Sequence, residues 1–195
     1  MPAPQLIEAQ RLSPHPGRSA DVGVVLDLMI HDIDLALALA KSPVARVEAA
    51  GLTVLSPSED FAEARITFAN GSAAHLTASR VSDERRRTLR VFGDGATHCV
   101  TVDLRAQEGF VHRLAASSES PTAETVVTSE FAGKKILRTP AAIAKAEPLK
   151  LELEHFAACV RERRQPLVDG EVAIRALELA FEITRQIHTQ HGGQR

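Results

Sequence analysis

The chain has 195 residues, 44% hydrophobic and 25% charged, with a formal net charge of −2. That is the balance of one globular domain with enough apolar residues for a core, and the cytoplasm is the expected compartment. No run of about 18 apolar residues is free of charge, and Met1-Pro-Ala-Pro-Gln5 lacks a basic region ahead of an apolar one, so neither a membrane span nor a secretory signal is supported. With no tryptophan or tyrosine and seven scattered phenylalanines, the composition argues against stacking platforms for single-stranded nucleic acid.

In chain order, residues 5–11 read as a first strand. Residues 13–19 form a loop leading to Asp21, the expected N-cap of a long helix that runs to Lys41. Past Ser42-Pro43 the period changes. Residues 44–55, 61–69, 72–81, 88–92, 99–105 and 110–115 are strand-like, rich in alternating Val, Ile, Leu, Thr and Phe, and parted by turn pairs such as Asn70-Gly71 and Asp94-Gly95. Their short connections predict an antiparallel meander rather than βαβ crossovers. Residues 116–147 carry less pattern, with a loop at 117–121 and one more strand at 124–131.

Two helices close the chain. Residues 149–164 carry Leu149, Leu153, Phe156 and Val160 at helical spacing, and residues 169 to 188 carry Val172, Leu177, Ala180, Phe181 and Ile187. No repeat or linker divides the sequence. Residues 1–195 are therefore expected to form a single α/β (α+β) domain, a large, mostly antiparallel open sheet with helices packed on one face. Apolar residues recur on both registers of the 61–81 hairpin, which predicts a partner subunit over the other face of that sheet, in a homodimer or tetramer. The basic cluster Glu84-Arg-Arg-Arg-Thr-Leu-Arg90 reads as solvated arginines at a hairpin start, because the chain as a whole is slightly acidic. Cys99 and Cys159, far apart, read as reduced thiols.

The most informative stretch is the first helix, apolar on nearly every side yet carrying Asp27, His31 and Asp34. At about 100° per residue these three fall at roughly 0°, 40° and −20°, one narrow stripe, with Asp32 roughly 100° away from His31. Three readings of the stripe are open. The carboxylates can serve only to hold His31 and the backbone in register. Two carboxylates and an imidazole can bind iron, manganese or zinc, although three ligands on two turns of one helix, with no further His/Glu motif elsewhere, make a poor metal set. The leading reading is acid/base chemistry: a neutral imidazole accepts a proton from an alcohol near pH 7, and a carboxylate one turn before it fixes its tautomer and stabilises the imidazolium.

The pattern Gly23-x-x-x-Asp27-x-x-x-His31-x-x-Asp34, the meander with Arg90-Val-Phe-Gly93-Asp-Gly95, and the ending Glu154-x-Phe156, Arg163-Arg-Gln-Pro166, Gly170-x-x-Ala173 and Leu177-x-Leu-Ala180 together resemble the C-terminal domain of the glucose-fructose oxidoreductase/inositol dehydrogenase (Gfo/Idh/MocA) family. The resemblance runs in order over nearly the whole chain. It implies an NAD- or NADP-dependent oxidation of a secondary alcohol on a sugar, cyclitol or nucleotide sugar. By motif position His31 is then the acid/base and Asp27 holds it or the substrate hydroxyl. Asp34, Arg11, Arg18 and Arg80 are candidates for contacts to substrate. The family's glycine fingerprint and Glu-Lys-Pro lysine are absent, and Gly93-Asp-Gly95 lacks a third glycine and a following helix. The chain is therefore expected to be the latter half of such an enzyme, to bind no NAD(H) by itself, and to need a dinucleotide-binding Rossmann half, carried on a separate chain or on a longer one. The alternative is a non-catalytic oligomeric sugar-binding or scaffold module. An ionisable pair inside an apolar helix favours the enzyme.

Overall fold

The computed structural model describes residues 4–15, 17, 21–93, 98–115 and 122–192. Arg18, the Asp94-Gly95 turn and the 117–121 loop lie outside them. Nine strands form one sheet: β1 (Leu6–Leu12), β2 (Val44–Leu52), β3 (Phe61–Phe68), β4 (Ala73–Ser79), β5 (Arg86–Gly93), β6 (His98–Asp103), β7 (Glu108–Leu114), β8 (Val126–Phe131) and β9 (Lys134–Pro140). Their order is β2-β3-β4-β1-β5-β6-β7-β9-β8. All neighbours are antiparallel except β1 and β4, which run parallel. The open, mostly antiparallel sheet expected from the short connections is thus the architecture. Strand β9 is an addition to that expectation. It follows β8 through a tight turn in which Ala132 and Gly133 both take positive φ, 50° and 76°.

Between β1 and β2 the chain makes one wide π-helical turn, Val25–Met29, that runs into α1 (Ile30–Ala40). The Ile30 N–H closes the wide turn on the Val25 carbonyl. Helix α1 stops at Lys41, which takes a left-handed conformation with φ 49°, ahead of Pro43. Helices α2 (Pro148–Glu162) and α3 (Gly170–Gly192) end the chain. The core lies between one sheet face and α1 with α3. Alternate strand positions Ile7, Ala9, Ala62, Ala64, Ile66, Phe68, Ala74, Leu76 and Ala78 meet Met29, Ile33, Ala36, Ala180, Ile183 and Ile187. Small residues on the strands let the helices approach closely. At Gly51 a Cβ would stand 2.8 Å from the Ile187 Cγ2 and 2.9 Å from the Phe61 carbonyl oxygen.

Three expectations about faces need correction. In the 61–81 hairpin the apolar residues concentrate on the core side, while the other register carries Phe61, Glu63, Arg65 and Thr67 opposite Ser79, Thr77, His75 and Ala73. The open face is therefore polar and charged at its centre, not apolar. Of the residues expected to pack from α3, Ala180 and Ile187 are buried, but Leu177 and Phe181 point away from the sheet, 39% and 54% exposed. In α2 the whole stripe Leu149, Leu153, Phe156 and Val160 is bare, and what α2 buries is Cys159. The helical period is real in both helices, but a second apolar face on each has no cover within the described residues.

Candidate functional site

The stripe sits on the outer face of the helical layer. Asp32, Ile33, Ala36 and Ala40 turn inward and are buried. His31, close to opposite them on the helical wheel, is exposed, and Asp27 and Asp34 are half-buried. Among the described residues none of these three side chains hydrogen-bonds or pairs with another group. Two half-buried carboxylates beside an exposed imidazole are thus all free to meet a ligand, which a purely structural role would not require.

Asp32, set apart from the stripe by its angle, proves to be the anchor of the helix. It receives a two-pronged grip from Arg11 of β1, Nε to Oδ2 at 3.0 Å and Nη2 to Oδ1 at 2.8 Å. The Arg11 guanidinium lies largely buried against it. Arg11 is therefore a strut between β1 and the residue next to His31, rather than a loose arm for substrate. Sequence reasoning missed the pair because its partners are 21 residues apart.

Arg80 is likewise corrected. Its side chain is 1% exposed, donating to Asp60 Oδ1, the Ser56 hydroxyl and the Val22 carbonyl at 2.7 Å each. It is a structural residue of the core. The Val22 contact matters for the site, since Val22 precedes the turn that carries Asp27. Burial alone would raise the Asp60 carboxyl. The Arg80 guanidinium and the N–H groups of Leu55, Ser56 and Val54 outweigh burial and hold it well below the ordinary carboxylate range.

The helix start is capped from afar. Asp21 makes no cap; Val24 stands at the N-cap without a side-chain bond. Glu59, 2% exposed, accepts the Val25 N–H with its Oε1 at 3.3 Å, and its backbone oxygen accepts the Val24 N–H at 2.9 Å. Gly23 makes room for this, because a Cβ there would collide with the Glu59 carboxylate. Gly23→Ala is expected to displace Glu59, strip the Val25 N–H of its acceptor and cost about 1–3 kcal/mol of stability, measured as a lower urea midpoint with unchanged slope.

Elsewhere, a concavity of about 580 Å³ lies on the open sheet face between Glu48, Glu63, Arg65, His75 and Thr77, on the far side of the sheet from His31. A smaller cleft of about 150 Å³ is lined by Leu12, Ser13, Arg85, Arg87 and Arg105. Among the described residues no three His, Cys, Asp or Glu side chains gather in a group that could hold a metal ion, and no helix is long and apolar enough to cross a membrane.

An open nine-stranded sheet with a helical layer on one face is the class that the fold defines. Within it, residues 6–98 match the GFO/IDH/MocA C-terminal domain, the family whose pattern the sequence resembles. It is similar to UDP-N-acetylglucosamine 3-dehydrogenase of Acidithiobacillus ferrooxidans, 32% identical over 182 residues, covering 93% of this chain and 54% of that protein. The solved structure of that enzyme superposes with a TM-score of 0.81 at 29% identity, over 96% of this chain and 55% of the other. An NAD-binding protein from Listeria innocua, 20% identical, shares the fold with a TM-score of 0.73 over 96% of this chain and 57% of its own. The chain spans about half the length of the curated relative it matches.

Proposed function

We propose that this chain is the substrate-binding half of an NAD(P)-dependent oxidoreductase that acts on a secondary alcohol of a sugar, cyclitol or nucleotide sugar. The observation that carries the reading is the exposed His31 flanked by unpaired, half-buried Asp27 and Asp34 on a helix whose opposite face is locked into the core. The name of the A. ferrooxidans relative favours a nucleotide sugar among these classes.

The sequence has no G-x-G-x-x-G turn between a strand and a helix, so these residues do not fit a dinucleotide. The hydride acceptor belongs to a nucleotide-binding half, and the steps assigned to this chain are proton steps. Neutral His31 takes the hydroxyl proton of the carbinol. Asp27, one turn earlier, orients the imidazole or the hydroxyl and offsets the positive charge that develops. Asp34 offers a second acceptor to the substrate's hydroxyls. Arg11 and Asp32 keep α1 fixed on β1 beneath these groups. The bare apolar stripes of α2 and α3 support the same reading: α3 leaves Ile174, Leu177 and Phe181 exposed, away from the sheet, an apolar face that a nucleotide-binding half can cover.

Joined to the part of the A. ferrooxidans enzyme that it does not span, the chain is expected to oxidise a sugar-type alcohol with NAD or NADP. A joined protein that folds and binds cofactor but turns over no such alcohol would leave the scaffold reading in its place.

Self-association through the open face belongs to the same proposal. Register places Glu48, Arg65, His75, Glu8 and Arg90 in one row across five strands, alternating in sign except at His75, and Arg90 bonds Glu8 at 2.9 Å. Such a row is self-complementary about a two-fold axis. Light scattering at tens of micromolar is expected to show a dimer or tetramer that weakens with salt; a folded monomer throughout would refute this part.

A further inference from the structure

We infer that Arg85, Arg87 and Arg105 form an anion-holding end of the substrate site, built for the diphosphate of a nucleotide sugar. The inference rests on the proposed function and narrows its substrate class. Three observations lead to it.

The cleft of about 150 Å³ at the end of β1 and β5 is lined by these three arginines with Leu12 and Ser13. Among the described residues none of the three guanidinium groups has an ion pair or side-chain hydrogen bond, whereas neighbouring Arg86 is engaged by Glu84 at 2.6 Å and Arg90 by Glu8 at 2.9 Å. Three cations left unpaired around one concavity repel one another, and an anion with several oxygens relieves that repulsion.

The cleft is also on the right side of the sheet. Register sets Arg87 directly opposite Arg11, on the same face as the buried Leu89 and Val91, which is the face that carries the helices. Arg86 and Arg90 alternate onto the open face. Opposed residues of an antiparallel pair stand about 5 Å apart, and Arg11 grips Asp32, the residue next to His31. The cleft and His31 therefore flank one strut. A ligand whose sugar carbinol meets His31 can lay its diphosphate beside Arg87.

The third strand completes the cluster. The Leu104 N–H bonds the Arg87 carbonyl at 2.8 Å, bringing the β6–β7 hairpin and Arg105 to Arg87. Glu84, next to Arg85, is engaged by Arg86. Asp103, the carboxylate nearest Arg105 in sequence, turns its Oδ1 to the N–H groups of Arg105 and Ala106 at 2.8 and 2.9 Å. By register it sits opposite Thr88, on the open-face alternation, so it does not neutralise the cleft.

The test is calorimetric titration of the full chain with UDP-N-acetylglucosamine, UDP, inorganic pyrophosphate, free N-acetylglucosamine and NADPH. UDP-N-acetylglucosamine and UDP are expected to bind saturably and more weakly as salt rises, and free N-acetylglucosamine at least tenfold more weakly than either. Arg87→Ala and Arg105→Ala should each raise the UDP dissociation constant by about 10- to 100-fold. Arg87→Lys should recover part of that loss, and Arg86→Ala should change it less than twofold. In the protein joined to a nucleotide-binding half, Arg87→Ala should raise KM for the nucleotide sugar with kcat nearly unchanged, which a folding defect would not mimic.

Equal loss from Arg86→Ala and Arg87→Ala would reduce the cluster to general positive charge and overturn the inference. So would NADPH binding there more tightly than UDP, or turnover of free sugar with KM indifferent to Arg87. Binding of UDP-N-acetylglucosamine through Arg87 and Arg105 without any turnover in the joined protein would instead overturn the proposed reaction and leave the anion site standing.

Discussion

Replacing His31 with alanine in the joined, cofactor-supplied protein is expected to lower kcat by about 10²- to 10⁴-fold, the usual worth of a positioned general acid/base. The side chain is exposed and bonds to nothing among the described residues, so its removal takes away little packing and the thermal midpoint should hardly move. That separation of activity from stability is the signature to measure. Asp27→Asn should give a smaller loss, and the double variant should lose little more than His31→Ala alone, because the carboxylate acts through the imidazole. A drop in kcat confined to a few-fold, with independent and additive effects at the two positions, would remove the catalytic assignment and leave the three side chains as groups that only meet water.

Arg11→Met offers a contrast. It breaks the two bonds to Asp32 and leaves that buried carboxylate without a partner. Its effect should appear in stability and in kcat together, as a strut beneath His31 would require.

The stripe was legible in the sequence because Asp27, His31 and Asp34 interrupt an apolar helix, and helical period alone decides which of them share a face. Neither of the arginines placed near substrate on sequence grounds and described in the structure, Arg11 and Arg80, is free: each is engaged by a carboxylate 20 or 21 residues distant in the chain. Local pattern carries no signal for that pairing. The same limit hides the helix start. A cap at Asp21 is the local solution, whereas the chain uses Glu59, 34 residues away from Val25, and a buried glycine is the one local trace of it.

Alternation failed differently in the 61–81 hairpin. Alanines and isoleucine on the inward register, with Phe61 and Ala73 on the outward one, blur the polarity of the two faces until registers are known. In α2 and α3 the period correctly reported apolar faces, but it could not say that those faces remain bare in this chain.

The second large expected effect lies in the core. Arg80→Met should cost about 3–5 kcal/mol, the typical consequence of removing one partner of a buried ion pair, and that is a large share of the stability of a domain this size. Asp60 would remain buried, its Oδ2 still accepting the N–H groups of Val54, Leu55 and Ser56 at 2.8, 2.6 and 3.0 Å, but with no cation to balance its charge. The Val22 carbonyl would lose its donor as well, loosening the segment that leads to Asp27. An unfolding free energy from urea titration within about 0.3 kcal/mol of the parent would show the network to be dispensable.

The pair also predicts an acid limit. The folded Asp60 carboxyl is held far below its unfolded value near 3.9. Above about pH 5 it is ionised in both states and the full contribution is present. As pH falls below about 4, the unfolded chain binds a proton that the folded chain refuses, and stability drops by up to about 1.4 kcal/mol per pH unit from this one group. Asp60→Asn binds no proton in either state. Its stability, lower than the parent's at pH 7, should therefore decline less steeply between pH 4 and pH 2, so that the two curves of urea midpoint against pH converge. Parallel curves over that range would mean that the carboxyl titrates alike in the folded and unfolded chain, and that Arg80 does not hold it.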